Sequence, residues 1–243
     1  MKIIIALISA SMLFATNAWA GKADLDLLGA LSGYAQGEFK NMSRQLGLAI
    51  AYKAAAPAEP LGVTGFDAGV EISTAEIDES KSFWKEVAPD MPGAIVVPKI
   101  RIQKGLPFGI DIGGSYASIP ESDITLTGLE LKYAILEGGV ASPAVAIRGS
   151  YSRLDGIDDL AISTTGADLS ISKGLAMLTP YAGVGQVWIT SDPSSKLSPL
   201  KSESLSETKY FVGARLSLGL LMINLEYEQA EIPSYTARLS VGF

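Results

Sequence analysis

From about residue 63 to the carboxyl end, apolar and polar residues take turns almost one by one. A period of two is the repeat of a β-strand with unlike faces, not the 3.6-residue repeat of an amphipathic helix. In "VTGFDAGVEIST", Phe66, Ala68, Val70 and Ile72 alternate with Asp67, Gly69 and Glu71. "FGIDIGGSYA" sets Phe108, Ile110, Ile112 and Tyr116 against Asp111, Gly113 and Ser115. "LELKYAI" and "VAIRGSY" put Glu130, Lys132 and Arg148 on the polar side. "VPKIRIQ", "GADLSIS", "YFVGARLSL" and "LMINLEYE" add Lys99, Arg101, Asp168, Arg215, Glu226 and Glu228, and "SYTARLSVGF" adds Arg238. "YAGVGQVWI", around residues 181–189, reads as a strand whose faces the pattern does not distinguish. The segments amount to ten strands.

A continuous apolar face needs an apolar solvent, which is either a protein core or lipid. The placement of the rings separates the two. With Phe243 on the periplasmic side and strand direction alternating, Tyr116, Tyr151, Tyr210, Tyr227 and Tyr235 fall at the external end of the apolar band. Phe66, Phe108, Tyr133 and Phe243 fall at the periplasmic end. Two girdles one strand length apart are the interfacial belts of a membrane barrel, whereas a β-sandwich buries its rings at mid-strand. The opposite face also carries more charge than a sandwich core holds unpaired. Connector lengths agree: 77–93 and 191–207 read as long polar loops on one side, and "KGLP", "KGLAML" and "LGL" as tight turns on the other. Although 48% of the residues are apolar, no run of about 18 follows residue 20, so no transmembrane helix is expected.

The first twenty residues read as an export signal. Lys2 is a short basic start, "IIIALISASMLF" an apolar stretch too short to span a bilayer, and Ala18-x-Ala20 a peptidase site. Cleavage after Ala20 leaves Gly21–Phe243, 223 residues with 18 basic and 26 acidic side chains. That acidity argues against nucleic acid. The absence of cysteine excludes disulfides and Cys-ligated metals.

The last ten residues place Tyr235, Ala237, Leu239 and Val241 at alternate positions and end on Phe243. They resemble the carboxyl-terminal signal of the Gram-negative outer-membrane β-barrel superfamily. The resemblance implies recognition by the barrel-assembly machinery and residence among outer-membrane lipid and lipopolysaccharide. Porin-like transport is an analogy that this likeness suggests. The expected fold is an all-β, transmembrane, antiparallel up-and-down barrel of ten strands, with twelve as the alternative, and it is read as a monomer.

Residues 21–62 form a separate amino-terminal segment, periplasmic or plug-like, ahead of a barrel over 63–243. "LGLAIAYKA" alternates like a strand, but an eleventh strand breaks the even count of bacterial barrels. The same stretch spaces Phe39, Met42, Leu46, Ala49 and Lys53 as one helical stripe that stops at Pro57, and a helix is the preferred reading. The inward face then carries Asp67, Glu71, Asp111, Glu130, Asp168, Glu226 and Glu228 against Lys99, Arg101, Lys132, Arg148, Arg215 and Arg238. Seven acids and six bases suit a salt-bridged filling or a narrow polar channel. Glycines 109, 113, 183 and 185 make room for a plug or relieve curvature.

The function read from this is a narrow channel or transport barrel for small solutes, and its alternative a closed structural or surface-interaction barrel. No enzyme is expected. Histidine is absent, so a Ser–His–Asp triad and His-ligated zinc are both impossible. The Glu226 and Glu228 pair is read as structural rather than catalytic. Asp155, Asp158 and Asp159 lack the order of a calcium loop. No cofactor or metal is expected. Phe83 and Trp84 are the aromatic anchors that the long loops offer.

Overall fold

The alternation produces strands because one side of each segment can meet lipid only if every backbone polar group is paired with a neighbour. The computed structural model describes residues 36–78, 93–119, 123–139, 141–157, 159–194 and 199–243. The export signal, Phe83, Trp84 and Asp158 lie outside those residues. One helix, α1 (Gln36–Ile50), precedes ten strands among the described residues. They are β1 (Phe66–Glu76), β2 (Ala94–Leu106), β3 (Ile110–Ser118), β4 (Thr125–Glu137) and β5 (Ala144–Asp155). Then come β6 (Leu160–Ser172), β7 (Leu178–Pro193), β8 (Glu203–Leu218), β9 (Leu221–Gln229) and β10 (Pro233–Gly242). Each strand pairs antiparallel with the next, and β10 returns to β1, so the sheet closes. The closing seam runs from Asp67 opposite Gly242 to Ala75 opposite Ser234. Closure removes the sheet edges that lipid would leave unpaired.

Outside, Ile100, Ile102, Leu129, Leu131, Ile147, Leu169, Val212 and Leu225 are 47–64% exposed and share one belt. A continuous apolar surface of that kind needs lipid against it. Tyr227 packs against Tyr235 at 5.3 Å between ring centroids at one end of the belt. Phe66 meets Phe243 edge-on at 4.8 Å at the other. Phe108 sits in the 3-10 turn Pro107–Gly109 with φ 66°, not in the strand, and is 86% exposed.

Two readings change. The segment 191–207 is not all loop: β7 continues to Pro193 and β8 starts at Glu203. The apolar alternation stops there because the outward face leaves the belt, with Gln186, Ser206 and Thr208 hydrogen-bonded to one another on it. The faces of "YAGVGQVWI" also resolve, with Tyr181, Val187 and Ile189 inward and Val184 and Trp188 outward.

The helical reading of "LGLAIAYKA" holds only to Ile50, so the barrel has ten strands rather than twelve. Lys53 lies beyond the helix, and its amine donates back to the Leu48 carbonyl at 3.0 Å. That carbonyl is one of the last-turn acceptors a helix leaves open, and a cation there is favourable.

Candidate functional site: an occupied lumen

The inside of the barrel has two halves of different chemistry. At the end carrying the 77–93 and 194–202 connectors the inward wall is apolar. Ile77, Ile95, Leu126, Leu160, Ile162, Val187, Ile189, Leu205 and Ile232 form one core with Phe39, Met42, Leu48, Ala49 and Ile50 of α1. Burying the four large α1 side chains contributes on the order of 10 kcal/mol. Gly47 allows the close approach, because a Cβ there would overlap the Ile189 side chain. At the rim, Ser43 donates to Ser191 at 2.9 Å and Arg44 pairs with Glu207 at 2.7 Å.

Past α1 the chain runs on as an extended strap down the other half, and every residue from 47 to 58 is buried. The strap is rich in alanine and forms no sheet, so its backbone must find partners elsewhere. Long wall side chains supply them. Arg101 donates to the Lys53 and Ala54 carbonyls, both at 3.0 Å. Lys132 donates to the carbonyls of Pro57 at 3.1 Å and Glu59 at 2.8 Å. In return Ala55 N donates to Glu226 at 2.8 Å, Ala58 N to Ser172 at 3.1 Å and Leu61 N to Asp111 at 3.1 Å. Small side chains let the strap come close enough for this. Ala55 takes a left-handed φ of 40° to do so.

The thirteen charges singled out in the sequence all point inward. Twelve are buried, and the Arg215 side chain keeps 13% exposure. They form linked clusters rather than isolated pairs. Arg101 joins Glu71 and Glu130, each at 2.9 Å, and Lys99 reaches Glu71 at 3.1 Å. Asp67 accepts from Arg238 at 2.7 Å and from Arg215 at 3.3 Å, and Lys132 pairs with Asp111 at 2.9 Å. Arg148 is looser, 3.5 Å from Glu130.

Two cations were missed. Lys53 from the strap pairs with Glu228 at 2.7 Å. Lys209 bridges Glu228 at 3.1 Å and Asp168 at 3.2 Å. Its parity signals this, since Lys209 shares the side of Arg215 on β8. Lys53 gives no such sign, because only the fold puts the strap inside. Tyr52 was also missed. It lies buried under the Arg101 guanidinium, 4.5 Å to the ring centre.

The inward glycines give up their side chains to neighbours. A Cβ on Gly185 would strike the Asp168 carboxylate, one on Gly183 the Phe211 ring, and one on Gly113 Glu130. Gly109 instead belongs to the turn before β3. Such a filled, cross-linked interior can hold walls in register.

The nine girdle residues sit on the outer surface, Tyr116, Tyr151, Tyr210 and Tyr235 at the long-connector end and Phe66, Phe108, Tyr133 and Phe243 opposite, with Tyr227 half-buried beside Tyr235. Among the described residues no group of three or more acidic side chains is placed to hold a metal.

No protein-family model matches the chain, and no curated protein matches it in sequence. Solved structures do overlap it. The attachment invasion locus protein Ail of Yersinia pestis, in complex with the heparin analogue sucrose octasulfate, is 14% identical over 74% of this chain and 97% of its own, with a TM-score of 0.30. Neisserial surface protein A is 8% identical over 74% and 96%, TM-score 0.31. The KdgM porin is 10% identical over 72% and 99%, TM-score 0.32. Overlaps this loose decide nothing about activity. From its own closure, lipid-facing belt and girdles, the chain is a transmembrane β-barrel of outer-membrane type, ten strands around, with α1 and the strap after it inside.

Proposed function

We propose that this protein is a closed, non-enzymatic barrel of the Gram-negative outer membrane, a structural and surface-presenting element rather than an open pore. The porin-like alternative requires a continuous water path. The observation that favours closure over it is the apolar core around α1. If α1 left, nine large wall side chains would face water, at about 1.5–3 kcal/mol each. A water-filled channel is not lined that way. The strap adds to this, because its departure would strand Glu228, Glu226 and Asp111 without the donors they meet in it. The same engagement argues against catalysis by Glu226 and Glu228.

Planar-bilayer conductance of the refolded chain from Gly21 onward tests the proposal, with folding shown by heat-modifiable gel mobility. A silent bilayer is expected. Discrete conductance steps from folded protein would sink the closed reading and restore the narrow channel.

A further inference from the structure

Gln36, the first residue of α1, donates from its side-chain amide to the Lys201 carbonyl and to Glu203, while the Oε1 of the same amide accepts from Lys201 N at 3.0 Å. Those partners belong to the 194–202 connector and the start of β8. Ser43 and Arg44 bond to Ser191 and Glu207 on the same hairpin. The strap then descends. Leu61 meets Asp111 near the start of β3, Gly105 N donates to Gly65, and Phe66 N donates to the Phe243 carbonyl at 3.1 Å. From Gln36 the chain therefore runs from the long-connector mouth to the short-turn end just before β1 begins.

The two ends of the barrel differ toward water. At the long-connector end β7 and β8 rise past Tyr210 with an outer face that is polar apart from Trp188: Gln186, Thr190, Ser204, Ser206 and Thr208. At the short-turn end Val63, Phe108, Leu175, Met177, Leu220 and Phe243 are 56–86% exposed, so that end barely clears the apolar layer. A barrel whose strands and loops project from one face points that face outward.

We infer that the barrel anchors its chain with the amino-terminal end of α1 on the outside of the cell, α1 acting as a stopper that holds that end at the surface. Gly37, Lys40 and Asn41 are exposed there and form part of the external face. This rests on the closed reading, since a lumen that empties would release α1.

The chain contains no cysteine, so single cysteines report the side directly. Gly37→Cys and Lys40→Cys variants, and Leu220→Cys in the turn after β8, are exposed to a maleimide-polyethylene glycol too large to cross an intact outer membrane. Heat-modifiable mobility confirms that each folds. Gly37→Cys and Lys40→Cys should shift fully in intact cells, and Leu220→Cys only after permeabilisation. A shift of Leu220→Cys in intact cells, or protection of both α1 positions there, overturns the inference. Conductance with unchanged labelling would instead overturn closure, so the two failures are distinguishable.

Discussion

At the residue scale, Lys53 shows how much one side chain can gather. Its ammonium meets Glu228 at 2.7 Å, the Leu48 carbonyl at 3.0 Å and Ser234 at 3.1 Å, joining α1, the strap, β9 and β10. Removing one partner of a buried pair usually costs about 3–5 kcal/mol. Lys209 still faces Glu228, so Lys53→Met should lose about 3 kcal/mol, the lower end of that range. Urea unfolding in lipid vesicles measures it, and an unchanged midpoint would mean the strap is not held by this contact. Gly185 offers a second case. A methyl there would displace the Asp168 carboxylate that reaches Lys209, so Gly185→Ala should cost about 1–3 kcal/mol. Gly149→Ala, whose Cβ meets nothing within 4 Å, is the control and should be nearly silent.

At the element scale, α1 behaves as part of the core rather than as a removable lid. Leu48 is 1% exposed among wall isoleucines and leucines, whereas Lys40 on the same helix is exposed. Leu48→Asp should therefore abolish the heat-modifiable folded band or sharply lower its melting temperature, because a carboxylate cannot be buried unpaired there. Lys40→Glu should fold as the parent does. The helix was legible in the sequence from its stripe, but its lower boundary was not. The stripe predicted Lys53 on the helix, and the chain instead turns extended after Ile50, where wall side chains satisfy its backbone. The upper ends of β7 and β8 escape the pattern for a related reason. Period-two hydropathy marks only the part of a strand that touches lipid, and pairing carries on above it.

At the scale of the whole molecule, the barrel turns an apolar belt outward and holds its buried charge in one half of the lumen. Leu131, midway down β4 and 56% exposed, tests what surrounds it. Leu131→Arg should destabilise the barrel in a bilayer by about 2–4 kcal/mol, the cost of a cation near mid-membrane. If it is neutral or stabilising in vesicles, the belt does not face lipid.

What the chain determines by local rule was readable before folding. Alternation assigns Asp67, Arg101 or Glu228 to the inside and Leu129 or Ile147 to the outside, because successive side chains of a strand must point to opposite faces. The aromatic residues at strand ends report the two interfaces for the same reason. Tertiary structure alone decided what fills the lumen. That Lys53 and Tyr52 stand among the wall charges, and that α1 closes an apolar half while the strap bonds to a polar one, depends on contacts far apart in the chain, from 48 residues for Arg101 with Lys53 to 175 for Lys53 with Glu228. No periodicity encodes such pairings, because they arise only when the sheet closes around the segment and each buried polar group must find a partner inside.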